Sequence, residues 1–438
     1  MMKLSLSLGC RVFLAFPNNS LTKIGLHTLS ALRLVWLILS LCGLLALRVA
    51  VAEARQRRWL FRREVAMPKT PHAGASPPLP VGEGLLRLHG LDVHYEVLGK
   101  PGGGLPIVLT PGGGGGKGAF RWLALRLKKD RQVLLWDRPN CGHSGLTLGD
   151  TVCQPEPDLQ ADYLCALLAA LGCGPVILLG KSNGARLSLT AALKRPSTVA
   201  ALALLNVTGG AKAARKLAAE RYTCHVAACE AGGMAAVAAG PHFAELLQRS
   251  PASRATLLSF DPAAFMLQYR VWGECLSRGG DPNDFPVTGL ASDLLCRVAQ
   301  PSLCVYIANE DGKDDGMHTR AAMGALHAAL PAARPAVVDT TSTDVWVAQV
   351  MEFAREIDAS HESAAGEEAT CAPPLRPFSH MPCFYAHLPT AEEIDAWRGQ
   401  YERAAALGAA VAAQDEAKGG AASCSGCTLL DPLRNVFR

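Results

Sequence analysis

A serine and its two flanking glycines are the residues whose types and spacing best suit chemistry. In the stretch GKSNG, Gly180, Ser182 and Gly184 follow the spacing G-x-S-x-G, between an apolar run that ends at Gly180 and a helix predicted from Asn183. The glycines allow a turn too tight for side chains, and strain at the serine holds its hydroxyl above the carboxyl edge of a sheet. The Asn183 amide, at the helix N-terminus, would then face an oxyanion formed on attack. The pattern predicts a nucleophile, with a purely structural serine turn as the alternative.

A run of glycines offers a second source of backbone amides. The sequence LTPGGGGGKGAF follows a predicted strand and contains five consecutive glycines, Gly112 to Gly116. Without side chains, such amides can approach a ligand closely. A phosphate loop of the G-x-x-x-x-G-K-[ST] type is excluded because Lys117 is followed by Gly118. The run therefore predicts an oxyanion-binding loop, with a flexible turn as the alternative.

The elements that must position these residues are predicted to be strands of a mostly parallel sheet. Alternation of apolar and polar residues on both sides of Gly90 predicts a hairpin. Helical segments separate a series of apolar runs without polar alternation, at 106–110, 132–137, 175–180, 199–207, 301–308 and 335–339. Such runs are typical of a sheet that helices cover on both faces. We predict an α/β fold with a helical insertion that caps the strand ends.

The chain divides into six predicted segments. They are a basic hydrophobic targeting or membrane-anchor segment (1–66), a linker (67–84), the first half of the sheet domain (85–208), a helical cap (209–300), the second half of the sheet domain (301–359) and a loosely structured tail with one helix (360–438). In the tail, the sequence TAEE at Thr390 to Glu393 predicts a capping box at the start of this helix.

The order of these motifs resembles that of the α/β-hydrolase superfamily. The stretch WDRPNCGHS is similar to the D-x-R-G-C-G-x-S segment of iminopeptidase-like members, and the resemblance runs from about residue 86 to residue 357. It implies the α/β-hydrolase fold, with Ser182 as the nucleophile. It also implies oxyanion-binding amides at Gly112, Gly113 and Asn183.

The catalytic acid that this resemblance implies belongs in the loop NEDGKDDGMHT, after the strand LCVYIA. Asp311 suits the role by its distance from the strand. Asp315 suits it by its setting, because DGMHT resembles the D-P-x-H-P of some relatives. We prefer Asp315 and keep Asp311 as the alternative.

The histidine usual in such proteins is missing from its expected place. It should follow the last predicted strand, but Thr343 and Asp344 stand there, and no histidine occurs between His327 and His361. His318, in the acid loop, is the nearest replacement base by topology. Weaker candidates are His143, His225, His242 and Lys181. Because a serine without a base is a poor nucleophile, the sequence predicts a noncanonical or impaired base.

Two functions remain open at this stage. One is a serine hydrolase that acts on an ester, amide or small peptide bond of a small-molecule substrate. The other is a catalytically inactive α/β-hydrolase-fold protein that binds a ligand or a partner, since a fold does not fix a function. No metal cluster or dinucleotide fingerprint occurs, so no cofactor is predicted.

Charge and hydropathy single out the N-terminal segment. The net charge is +5, but residues up to Thr70 include eleven Lys or Arg against two acids, so the basic excess does not indicate a nucleic-acid partner. The uncharged run LVWLILSLCGLLAL is too short to cross a bilayer by itself. It spans only if the helix includes all of residues 31–52 and the flanking arginine side chains extend to the membrane surface. More basic residues follow the run than precede it, which predicts a membrane anchor with a cytosolic-facing domain. A cleaved signal for the secretory pathway or an organelle transit peptide is the alternative.

Overall fold

An eight-stranded sheet forms the centre of the computed structural model, which describes residues 78–149, 154–278, 287–366 and 389–417. The strands are β1 (Gly82–Leu88), β2 (Leu91–Leu98), β3 (Ile107–Thr110), β4 (Val133–Trp136), β5 (Val176–Lys181), β6 (Val199–Leu205), β7 (Ser302–Ile307) and β8 (Val338–Thr340). Their spatial order is β1-β2-β4-β3-β5-β6-β7-β8. β1 begins inside the segment 67–84 that the sequence predicted as a linker.

The pairing of the strands brings the loops of interest to one edge. β2 is antiparallel to β1 and to β4, and all other neighbours are parallel. The predicted hairpin turns at His89 and Gly90. Thr110 at the end of β3 lies beside Gly180 of β5. The segments that follow β3, β5, β6 and β7 therefore start next to one another, as expected at the carboxyl edge of a parallel sheet.

Twelve α-helices accompany the sheet in the described ranges. They are α1 (Arg121–Leu127), α2 (Glu156–Ala170), α3 (Asn183–Lys194), α4 (Ala211–Ala218), α5 (Cys224–Ala239), α6 (Pro241–Arg249), α7 (Ser253–Leu258), α8 (Pro262–Ser277), α9 (Ser292–Leu295), α10 (Arg320–Ala329), α11 (Thr343–Gly366) and α12 (Ala391–Ala417). A π-helical turn, Ala219–Thr223, joins α4 to α5.

Helices cover the central strands on both faces because successive strand residues point to opposite sides. Leu109 and Leu179 belong to the core that α1 and α11 complete, for example with Phe353. Val108 and Leu178 belong to the core on the other face, which α2, α3 and α10 complete. Burial on both faces explains why these strands read as uninterrupted apolar runs.

The helices α4 to α9 occupy the interval between β6 and β7. Their core contains aromatic side chains, among them Phe265 and Tyr269, whose stacked ring centroids are 4.2 Å apart. The helical insertion predicted from the sequence is therefore present, and it supplies one wall of the cavity described below.

The helix α12 packs on this insertion. Ile394 and Tyr401 are buried, and Glu393 forms an ion pair at 2.8 Å with Arg278, the residue that follows α8. The side chains of Thr390 and Glu393 accept hydrogen bonds from each other's backbone amides, which is the capping box that the sequence predicted. This part of the C-terminal tail is thus docked on the cap. Helix α11 also continues to Gly366, beyond the predicted end of the core at residue 359.

The predicted anchor at residues 31–52 and most of the predicted linker lie outside the described residues. Within the described part of the chain, no helix is both long enough and apolar enough to cross a bilayer.

Candidate functional site

The serine turn sits at the junction of β5 and α3 and is strained. Ser182 has φ 56° and ψ −117°, a conformation that L-residues rarely adopt. A Cβ on Gly180 would lie 2.3 Å from the carbonyl oxygen of Gly184, and a Cβ on Gly184 would lie 2.0 Å from that of Thr110. Backbone crowding therefore excludes a side chain at both glycines, which explains the G-x-S-x-G spacing.

Ser182 begins a line of three hydrogen-bonding side chains. Its Oγ lies 2.9 Å from Nε2 of His318, and Nδ1 of His318 lies 2.5 Å from Oδ2 of Asp315. The hydroxyl of Thr208, in the segment after β6, lies 3.1 Å from the same Oγ. Ser182 can donate to His318 and accept from the Thr208 hydroxyl at the same time, because a hydroxyl group carries one donor and two acceptor lone pairs.

The acid and the imidazole come from one turn of the loop after β7. Oδ1 of Asp315 accepts the backbone amides of Met317 at 2.8 Å and His318 at 2.6 Å. Gly316 has φ +80°, the left-handed conformation that glycine adopts at no steric cost. The turn thus folds the His318 side chain back onto the carboxylate three residues earlier, and both reach Ser182 together.

Arg320 ties this loop to the sheet. Its Nε donates to Asp339 of β8 at 2.6 Å, and its Nη1 donates to the carbonyl of Gly312 at 2.9 Å. Its guanidinium also lies 4.7 Å from the ring centroid of Tyr306 in β7. Thr319 caps α10 by accepting the amide of Ala322. These contacts set where the Asp315–His318 turn begins and ends.

The carboxylate of Asp315 is tuned to stay ionised. Partial burial raises the pKa of Asp315. Hydrogen bonds from the His318 ring and from the His318 and Met317 amides lower this pKa by more than burial raises it, so the net pKa lies below its usual value. An ionised Asp315 favours the His318 tautomer with its proton on Nδ1. That tautomer leaves Nε2 free to accept the Ser182 proton.

The other predicted acid and the residue at the usual histidine position form their contacts with basic side chains and not with Ser182. Asp311 accepts the amide of Lys313 at 3.0 Å and forms an ion pair with the Lys313 ammonium at 3.2 Å, exposed to solvent. Asp344, where a histidine is usual, is exposed and pairs with Arg126. The prediction of a missing histidine is not confirmed, because His318 brings an imidazole to Ser182 from a different loop.

Two of the three predicted oxyanion donors line the cavity in front of Ser182, and the third does not. Gly113 and Asn183 line the cavity in front of Ser182. Gly112 is packed against the serine instead: a Cβ there would lie 2.9 Å from Cβ of Ser182. The Asn183 amide belongs to the first turn of α3, where helix geometry leaves amides without intrahelical partners.

The stretch WDRPNCGHS holds the glycine loop in place. Arg138 is buried and donates to the carbonyls of Gly113 at 2.6 Å and Gly115 at 3.3 Å. Asp137 accepts the amide of Lys117 at the end of the loop. Since the carbonyl and the next amide of a peptide unit point in opposite directions, Arg138 also sets the direction of the Gly114 amide.

A cavity that is partly open to solvent extends from Ser182 under the helical insertion. Its apolar wall includes Leu217, Tyr269 and Leu276. Its charged lining consists of Glu156 from α2, Arg186 from α3 and Arg221 from the π-helical turn. Within the described ranges, no three His, Cys, Asp or Glu side chains are grouped closely enough to hold a metal ion.

Sequence reasoning missed several residues of this site. Thr208 follows β6 at the predicted boundary between core and cap, where no motif marks it. Glu156 and Arg221 stand in helical segments whose charged residues are usually solvated, so the sequence carried no signal for them. Arg138 belongs to the stretch WDRPNCGHS, and its two hydrogen bonds to the carbonyls of the glycine loop give that stretch a structural role.

The sheet order, the strained serine after β5 and the helical insertion after β6 define the α/β-hydrolase fold, as the sequence predicted. Comparison with known proteins agrees. Residues 106–220 match the family model described as alpha/beta hydrolase fold.

Among curated proteins, the chain is similar to the proline iminopeptidase of Heyndrickxia coagulans, with 32% identity over 118 residues, or 27% of this chain and 40% of that protein. It is also similar to the uncharacterised hydrolase YraK of Bacillus subtilis, with 30% identity over 119 residues, or 27% of this chain and 42% of that protein. A solved structure of proline iminopeptidase from Mycobacterium smegmatis is 21% identical, with a TM-score of 0.42, over 64% of this chain and 99% of that one. The matches thus span about two fifths of the length of these curated relatives.

Proposed function

We propose that this protein is a serine hydrolase that cleaves an ester, amide or small peptide bond of a small molecule. The observation that carries the proposal is the hydrogen-bonded line Ser182–His318–Asp315, with distances of 2.9 Å and 2.5 Å. A nucleophile, a base within hydrogen-bond reach and a group that orients the base are the parts that acyl transfer requires.

In the first half of the proposed reaction, Ser182 Oγ forms a bond to the substrate carbonyl carbon while its proton passes to His318 Nε2. The carbonyl oxygen takes the negative charge, and the amides of Gly113 and Asn183 are the donors available beside it. When this intermediate collapses, the bond to the leaving group breaks and the leaving oxygen or nitrogen takes the proton from His318. The product is an ester on Ser182.

In the second half, water replaces the leaving group. Its oxygen attacks the acyl carbon while one proton passes to His318 Nε2. The bond to Ser182 Oγ then breaks, and the serine recovers its proton from His318. The net result is one water consumed and two products released, the protonated leaving group and a carboxylic acid, with the enzyme restored. Asp315 stays ionised throughout and stabilises the charged imidazole.

The alternative from the sequence, a catalytically inactive binding protein, rested on the missing histidine. The placement of His318 supports the hydrolase instead, because a base then stands beside the nucleophile.

Labelling with a fluorophosphonate probe tests the proposal. The unaltered chain should become covalently labelled at Ser182, because the probe reports a serine whose proton a base can remove. Ser182→Ala should remove the label, and Ser188→Ala serves as the matched control because Ser188 is buried in α3 and donates to Gly184. Absence of labelling at high probe concentration in the folded chain would refute the catalytic role.

A further inference from the structure

A positively charged side chain in the cavity has no partner of its own. Arg221 lines the cavity in front of Ser182 and also a second cavity beside it, formed with Glu245 and Arg249. Among the described residues, its guanidinium makes no hydrogen bond or ion pair, whereas Arg249 next to it is paired with Glu245. An arginine presents five donors that normally find acceptors.

The other charged groups of the cavity are already engaged. Glu156 accepts the Tyr222 hydroxyl at 2.6 Å and the Gln160 side chain at 3.1 Å. Arg186 donates to the Asn183 side chain and to the carbonyl of Thr288, while its buried Nε has no partner among the described residues. Of the three charged side chains that line the cavity, Arg221 is therefore the one whose whole guanidinium makes no hydrogen bond within the described ranges.

The glycine loop makes room for this guanidinium close to the reacting centre. A Cβ on Gly113 would lie 2.9 Å from Nη2 of Arg221, and a Cβ on Gly114 would lie 3.2 Å from Nη1. The preceding glycine, Gly112, packs on Ser182. Arg221 and Ser182 therefore contact neighbouring glycines of one loop and line the same cavity. This placement suits a substrate whose anionic group lies on the same small molecule as the scissile carbonyl.

Two further observations concern the surroundings of Arg221. Burial lowers the pKa of the neighbouring His242 and the charge of Arg221 lowers it further, while Glu156 and Glu245 raise it, and the net pKa lies below its usual value. Arg221 also stands in the π-helical turn Ala219–Thr223, and π-turns within helices are frequent at functional sites.

We propose that Arg221 binds a carboxylate of the substrate, so that the hydrolase acts on short acyl compounds that carry a carboxylate near the scissile bond. The planar guanidinium matches a carboxylate in a bidentate arrangement. The inference rests on the proposed hydrolase function, since it names the class of substrate for the same site.

Binding of a matched pair of stable anilides to the full chain with Ser182→Ala tests the inference without any chemistry. Succinanilic acid and butyranilide differ only in a carboxylate in place of the terminal methyl. Titration calorimetry should show about tenfold tighter binding of succinanilic acid than of butyranilide. This ratio corresponds to the low end of what a hydrogen bond to a charged group contributes, because Arg221 is partly exposed. Adding Arg221→Gln should remove this preference, and Arg221→Lys should keep part of it.

Arg215→Gln is the matched control. Arg215 is exposed on the adjacent helix α4 and does not line the cavity, so its loss removes the same charge without removing the contact. It should leave the preference unchanged. An equal affinity for both anilides, or a preference that survives Arg221→Gln, would overturn the inference. Failure of the proposed function would show itself differently, as absence of probe labelling with the binding preference intact.

Discussion

At the scale of residues, the acid and the base of this site are neighbours in one turn. Asp315 and His318 are three residues apart, and the carboxylate binds both the ring and the backbone amides of the turn. Their alignment is therefore set by local geometry around Gly316. Only the distance to Ser182 depends on the rest of the fold, through the anchoring of the loop by Arg320.

Substitutions in this loop should separate the two predicted acids. We expect His318→Ala to lower the turnover number about 10⁴-fold, as losses of a catalytic base do. Asp315→Asn should lower it less, about 10²-fold, because the Asp315 side chain is 39% exposed and water can take over part of its role. Steady-state kinetics on a para-nitrophenyl ester measures both.

Asp311→Asn is the control in the same loop, since this side chain is exposed and bound to Lys313. We expect a change of less than about twofold, as for surface substitutions generally. If Asp311→Asn impaired turnover as strongly as Asp315→Asn, the assignment of the acid would be wrong.

At the scale of elements, the serine turn depends on three backbone segments that nearly touch. The first turn of α3 passes so close to the ends of β3 and β5 that neither Gly180 nor Gly184 has space for a methyl group. The strain at Ser182 is supported by this packing, which fixes the hydroxyl on the cavity side. The positions of β3, β5 and α3 therefore determine where the Ser182 Oγ lies.

A methyl group at this junction should be costly. Gly184→Ala would place Cβ 2.0 Å from the carbonyl oxygen of Thr110, so one of the segments must move. We expect the free energy of unfolding to fall by about 2 kcal/mol or more. Probe labelling of Ser182 should fall as well. Urea denaturation and labelling measure the two effects.

Gly324→Ala in α10 is the matched control, because nothing lies within 4 Å of the added Cβ. Alanine in an exposed helix interior should raise the free energy of unfolding by about 0.5 to 1 kcal/mol. Equal effects of the two substitutions would show that crowding at the serine junction is not what requires glycine.

At the scale of the whole molecule, the helical insertion completes the cavity and carries its own core. His225 lies inside that core, with its ring 5.0 Å from Phe243 and 5.7 Å from Tyr269. Its Nε2 has no hydrogen-bond partner among the described residues. Burial, followed by the charges of His242 and Arg221, lowers the pKa of His225 from 6.5 to about 4. The folded protein therefore holds this imidazole neutral.

This buried imidazole should make stability depend on pH. Between about pH 6.5 and pH 4 the unfolded chain binds a proton at His225 that the folded chain excludes, so stability falls as the pH falls through this window. We expect the free energy of unfolding to drop about 2 kcal/mol more between pH 7 and pH 5 in the unaltered chain than in His225→Phe. Denaturant titrations at both pH values measure the difference. The same pH dependence in both proteins would contradict a neutral buried His225.

Much of the architecture could be predicted from the sequence because its signals are local. Apolar runs at 106–110 and 175–180 became β3 and β5, since side chains buried on both faces leave no polar alternation. The glycines around Ser182 predicted a tight turn because side chains would not fit there, and the structure shows backbone atoms where those side chains would lie. The capping box at Thr390 predicted the start of α12, because capping bonds join residues only three positions apart.

The partners of the serine hydroxyl were decided by the tertiary structure alone. Ser182 and His318 are 136 positions apart, and their contact depends on how β7 is placed and how Arg320 holds the following loop. The resemblance placed the usual histidine after β8, where the sequence has none and left His318 as the nearest of several candidates, and the sequence gave no sign that Arg221 would face the glycine loop. The His318–Ser182 contact and the position of Arg221 both depend on contacts between distant segments. The packing of the sheet and its helical insertion creates these contacts, and no local sequence pattern encodes them.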